Sequence, residues 1–143
     1  MNIKVMSREK AIQYCNKQHQ EKSIIVSIYS PLEDYESKPF ITDVNRVVDI
    51  LEVGFYDIDY DYPSNNGKMN IIDAKLIANF IEQYKDLLII IHCDYGCSRS
   101  AGIAAALAKH YNNDDDLYFN HSFYQPNMLC YRLMLMALGD YII

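Results

Sequence analysis

The sequence predicts an α/β fold: a central, mainly parallel, twisted sheet of about four to five strands, flanked by helices. Two patterns carry that expectation. Apolar runs of strand length alternate with stretches at helical spacing. One run, Leu87–Ile91 (LLIII), is apolar at every position, so both of its faces need cover, as at the centre of a parallel sheet. The length of 143 residues agrees with one domain over 1–143, large enough to bury a core without disulfide staples.

Each element has its own signal. Ile3–Met6 reads as a short strand. Ser7 then suits an N-cap for a helix near 8–17, with Glu9 early against the positive helix end. Ser23–Ser30 (SIIVSIYS) is rich in β-branched residues and stops at Pro31, so it reads as a buried strand. Residues 31–42 have loop composition. Val47–Phe55 carries another apolar run. Asp57–Met69 (DIDYDYPSNNGKM) is acidic and polar, with Pro63 and Gly67, and reads as a loop. Asn70 with Asp73 resembles a capping pair, ahead of an amphipathic helix over 71–84. The alanine-rich Ser100–His110 predicts a helix, Asn112–Asp116 (NNDDD) a break and solvated turn, and Asn127–Leu138 a last helix.

Composition excludes several classes. Half the residues are hydrophobic and 22% are charged, which is globular and not disordered. The formal net charge of −6 disfavours nucleic acid or an anionic membrane as partner. No run of 18 apolar residues predicts a membrane span, and no signal peptide is expected. Four cysteines, at 15, 93, 97 and 130, are too few for a disulfide scaffold at this length. A reducing, cytoplasmic setting is the expectation, with Cys15 and Cys130 on apolar helix faces.

The segment His92-Cys93-Asp94-Tyr95-Gly96-Cys97-Ser98-Arg99-Ser100 joins the uniformly apolar strand to the alanine-rich helix. Such a loop turns backbone N–H groups into one concavity at a helix N-terminus, and Gly96 permits the tight curl. That makes an anion cradle from Asp94, Tyr95, Gly96, Cys97 and Ser98. Cys93 stands at its entrance, where a thiolate is favoured. Arg99 closes it with a planar fork suited to two phosphate oxygens. Ser100 places a hydroxyl near the sulfur, where it can donate to a departing thiolate.

This stretch resembles the signature of the cysteine-dependent protein tyrosine phosphatase superfamily: His-Cys, five residues, Arg, then Ser or Thr, with Gly at the third position after Cys. Chain length and loop position are similar to the small dual-specificity-like branch. The likeness extends from about residue 20 to 140, although only the loop is specific. It implies that this loop is the phosphatase phosphate-binding loop, lying between the central strand and a helix, and that Cys93 attacks phosphorus to form a phosphocysteine. It further implies that Arg99 and the loop hold the equatorial oxygens, that His92 organises the loop by bonding to backbone, and that neither metal nor cofactor is needed. A zinc site from His92, Cys93 and Cys97 lacks a fourth ligand.

The resemblance also implies a general acid: an Asp on a loop some 30–40 residues before the cysteine. Asp57, Asp59 and Asp61 are the candidates, with Asp57 first because it follows the apolar run most directly. Tyr95 is expected at the pocket mouth. Cys97 suits either small-residue packing or redox pairing with Cys93. Asn127 suits either an N-cap or a place beside the phosphate loop. The implied substrate is a phosphorylated protein or peptide bearing phosphotyrosine, with dual specificity open. A phosphoinositide or RNA phosphatase and a non-catalytic phosphate-binding module are the alternatives. Asp94 in the loop and the acidic chain disfavour polyanions.

Overall fold

A computed structural model describes residues 1–60 and 66–140. The apolar runs form four strands: β1 (Asn2–Ser7), β2 (Ser23–Tyr29), β3 (Val47–Gly54) and β4 (Leu88–Cys93). All pair in parallel, in the order β1-β4-β2-β3. All of the uniformly apolar run but Leu87 therefore lies inside the sheet, and every residue of β4 is buried. β4 continues two residues beyond the apolar run, because Met6 and Ser7 of β1 pair with His92 and Cys93.

Alternation along the strands sorts side chains between two faces. Ile24, Val26, Ile28, Ile89, Ile91 and Cys93 join one core with the apolar sides of α2 (Ile71–Gln83), α3 (Arg99–Asn112) and α5 (Met128–Ala137). Ile25, Leu88 and Ile90 pack on the other face against Cys15 and Tyr14 near the end of α1 (Arg8–Cys15). The caps foreseen at Ser7 and at Asn70 with Asp73 are both formed. α3 lies close on α5 because residue 102 is glycine; a Cβ there would come within 2.4 Å of the Asn127 carbonyl oxygen.

One short helix departs from the sequence expectation. α4 (Asp116–Asn120) follows a left-handed Asn113, where a solvated turn is expected. Burial of Tyr118 beside α3 holds it, and Asp115 accepts a hydrogen bond from the Tyr131 hydroxyl at 2.6 Å. Cys15 and Cys130 are both buried in the core. No helix among the described residues is long and apolar enough to cross a membrane.

Candidate active site

The loop between β4 and α3 is tied from outside through its carbonyls. The Arg8 amide donates to the Asp94 carbonyl (3.3 Å) and the Gln125 amide to that of Cys97 (2.8 Å). The amides of Gly102 and Asn127 both donate to Ser98, each at 2.9 Å. With its carbonyls held outward, the loop is free to turn N–H groups inward, and the Gly96 amide donates to Cys93 Sγ at 3.3 Å. Gly96 has φ +75°, and a Cβ there would lie 2.6 Å from the Met6 carbonyl carbon and 2.7 Å from the Ser7 nitrogen. Both the left-handed backbone and the contact with β1 require glycine. Gly96→Ala is expected to lower stability by about 2–4 kcal/mol, adding backbone strain to overpacking. Urea unfolding measures this; an unchanged midpoint would show that the loop yields freely.

Cys93 is 3% exposed, at the end of β4. Its sulfur lies 3.0 Å from the Ser100 hydroxyl in the first turn of α3. Arg99, the first residue of α3, is 4% exposed. Both hydrogens of its Nη1 are used, by Ser30 Oγ at 3.0 Å and the Phe55 carbonyl at 2.7 Å, while Nη2 donates to Asp94 Oδ2 at 3.0 Å. A guanidinium has five N–H donors, so the Nε hydrogen and one on Nη2 remain. Nε is buried without a hydrogen-bond partner. These two donors are what Arg99 can offer an incoming oxyanion.

Asp94, read from the sequence as a substrate-binding position, commits its carboxylate to protein partners. It accepts from Tyr35 OH at 2.7 Å, Ser30 Oγ at 3.1 Å and Arg99. Burial works to raise its pKa, but the Tyr35 hydroxyl, the Arg99 charge and Ser30 outweigh burial and hold it below the usual carboxylate range. Tyr95 is 79% exposed and borders an adjoining cleft. Cys97 is half-buried and, like the other cysteines, free; burial, then the neighbouring Cys93 and Asp57, pushes its thiol up.

On the open side of the loop, Asp57 Oδ1 accepts from Ser98 Oγ (2.7 Å) and Asn127 Nδ2 (2.8 Å). Asn127 also donates to the Ile58 carbonyl, and its Oδ1 caps α5 by accepting from the Cys130 amide. Both sequence readings of Asn127 therefore hold at once. Asp57, Asp59, Ser98 and Asn127 line one pocket of about 440 Å³. The bonds to the loop are made by Asp57, and Asp61 lies outside the described residues. Among the described residues, no group of three or more His, Cys, Asp or Glu could hold a metal ion.

No family model matches the sequence, and no curated protein matches it. Solved structures do. The human tyrosine phosphatase-like serine/threonine/tyrosine-interacting protein matches with TM-score 0.66 at 15% identity, over 96% of this chain and 91% of that one. Human DUSP28 matches with TM-score 0.62 at 12% identity, over 96% and 91%. PTPMT1, solved in complex with PI(5)P, matches with TM-score 0.59 at 12% identity, over 97% and 91%. The chain has the small dual-specificity-like cysteine phosphatase fold.

Within that fold, His92 sits behind the loop. Its Nδ1 lies 3.1 Å from the Cys93 carbonyl, which can only accept, so Nδ1 carries the hydrogen. Nε2 then accepts from Ser27 Oγ at 2.6 Å, a partner set beside it by the β2–β4 register. Sequence reasoning placed His92 but missed Ser27, Ser30, Tyr35 and Arg8, which carry no motif. Burial lowers the His92 pKa to about 4. The folded state thus holds His92 neutral at pH values where the unfolded chain binds a proton. Stability rises with pH between about 4 and 6.5, a span worth up to about 3 kcal/mol. Unfolding at pH 5 and pH 7 checks this: wild type is expected to lose more stability at pH 5 than His92→Asn does, and equal losses would refute it.

Proposed function

We propose that this chain is a phosphoprotein phosphatase acting on phosphotyrosine, with phosphoserine and phosphothreonine as further substrates, in a reducing cytoplasmic setting. One observation carries the reading. A buried cysteine beside a serine hydroxyl, an arginine with unused donors, and an aspartate hydrogen-bonded to Ser98 are gathered at one loop. That is a nucleophile, an oxyanion holder and a proton donor around one loop.

The Cys93 thiolate attacks phosphorus, the phosphorus–oxygen ester bond breaks, and Asp57 gives its proton to the leaving oxygen. Arg99 and the loop hold the remaining oxygens. Water then attacks phosphorus and gives a proton to the Asp57 carboxylate. The phosphorus–sulfur bond breaks, inorganic phosphate departs, and the Ser100 hydroxyl stabilises the returning thiolate.

The surroundings favour a single phosphate. Glu9, Glu33 and Glu36, together with Arg8, line the cleft of about 560 Å³ that opens beside Asp94 and Tyr95, and the excess of carboxylates there repels a second phosphate group. The test compares phosphate release from a phosphotyrosine peptide, a phosphoserine peptide and phosphatidylinositol 5-phosphate in vesicles. Release from the peptides supports the proposal. Turnover of the lipid alone moves the substrate class, and phosphopeptide binding without release replaces the enzyme with a binding module.

A further inference from the structure

We propose that Asp94 is a positioning residue that sets the Arg99 guanidinium for oxyanion binding from within the phosphate loop itself, an inference that rests on the phosphatase reading above. The position is electrostatically paradoxical. A carboxylate directly after the nucleophile in the chain repels the anion that the loop is shaped to hold. Its partners resolve the paradox. Oδ2 accepts from Arg99 Nη2 at 3.0 Å and from Ser30 Oγ at 3.1 Å; the Ser30 oxygen in turn accepts from Arg99 Nη1 at 3.0 Å. Asp94 and Ser30 therefore brace two nitrogens of one guanidinium.

The brace is itself anchored. Asp94 Oδ1 accepts from Tyr35 OH at 2.7 Å and lies 3.7 Å from Arg8 Nε. Arg8 stacks over the Tyr35 ring at 3.6 Å and donates through Nη2 to the Ile28 carbonyl at 3.2 Å. The Arg8 amide also holds the Asp94 carbonyl. The start of α1, the end of β2 and the following loop thus all converge on one carboxylate. Two guanidinium groups face one carboxylate here, so one positive charge is left for the substrate. The Nε hydrogen of Arg99, buried and unpartnered, and the second hydrogen of Nη2 are the donors this arrangement leaves unused.

Positioning and simple charge predict opposite signs, and that decides the test. Removing a negative charge from an anion site, with nothing else changed, tightens anion binding. Removing a brace loosens it. Orthovanadate affinity is measured by calorimetry for wild type, Asp94→Asn and Tyr35→Phe, with melting temperature and phosphopeptide kcat and KM alongside. Asp94→Asn is expected to weaken vanadate by about tenfold to a hundredfold, the range for losing a hydrogen bond to a charged group. kcat is expected to fall with it, and the melting temperature to fall as well, because the Arg8 and Arg99 guanidiniums lose the carboxylate between them. Tyr35→Phe, which keeps the ring over Arg8, is expected to weaken vanadate by about threefold to tenfold. Unchanged or tighter vanadate binding by Asp94→Asn overturns the proposal. Should that variant fail to fold, unchanged binding by Tyr35→Phe overturns it instead. A melting temperature lowered with vanadate affinity intact would reduce Asp94 to a structural part. A wild type that binds vanadate without turnover removes the phosphatase reading but leaves the comparison between variants standing.

Discussion

Cys93→Ser is expected to lower kcat on any phosphomonoester by at least about a thousandfold, roughly 4 kcal/mol of barrier, while inorganic phosphate still binds. Nucleophile and cradle are separate parts of the site. Sulfur supplies a polarisable thiolate that can both attack phosphorus and leave it again; a serine hydroxyl there has no base within the described contacts to take its proton. The cradle is held by other bonds: the outward-tied carbonyls of Asp94, Cys97 and Ser98, and the brace on Arg99. A serine oxygen is smaller than sulfur and fits between the Ser100 hydroxyl and the Gly96 amide. Turnover of p-nitrophenyl phosphate and a phosphotyrosine peptide, with calorimetric phosphate binding, checks both halves. Residual activity above about a tenth of wild type would sink the phosphocysteine step, because the remaining catalysis would then not need the sulfur.

The sheet and its loop were legible for reasons that can be stated. Leu87–Ile91 had to be central because no face of it could meet water, and β4 is indeed an inner strand. The phosphate loop was legible because its chemistry is compressed into consecutive residues. What escaped comes from distance along the chain. Ser30 and Tyr35 reach Asp94 across 64 and 59 residues, and Ser27 reaches His92 across 65. No local pattern marks such partners; the parallel register of β2 on β4 sets Ser27 beside His92, and the chain just after β2 carries Ser30 and Tyr35 to Asp94. Asp94 itself was visible as a loop position, but the direction of its carboxylate depends on Arg8 and Tyr35. The helix α4 escaped for a related reason. Its sequence opens on charges typical of a turn, and one buried tyrosine packed against α3 decides otherwise.

Asp57→Asn is expected to reduce kcat on a phosphotyrosine peptide by about a hundredfold to a thousandfold, within the range for losing general acid–base catalysis. The substitution keeps the shape and removes only the proton. An amide oxygen at 57 can still accept from Ser98 Oγ and Asn127 Nδ2, so the loop should keep its place. The loss should depend on the leaving group. An alkyl oxygen from phosphoserine needs the proton most and tyrosine next; p-nitrophenolate, already a stable anion, needs it least. The variant should therefore lose least on p-nitrophenyl phosphate, a ranking that a misfolded loop would not produce. Asp59→Asn serves as the comparison, since Asp59 lines the same pocket while the bonds to Ser98 and Asn127 belong to Asp57. A large loss in Asp59→Asn with little in Asp57→Asn would transfer the proton donor to residue 59. The Asn127 clamp would then be a brace on the loop after β3 and no part of the proton path.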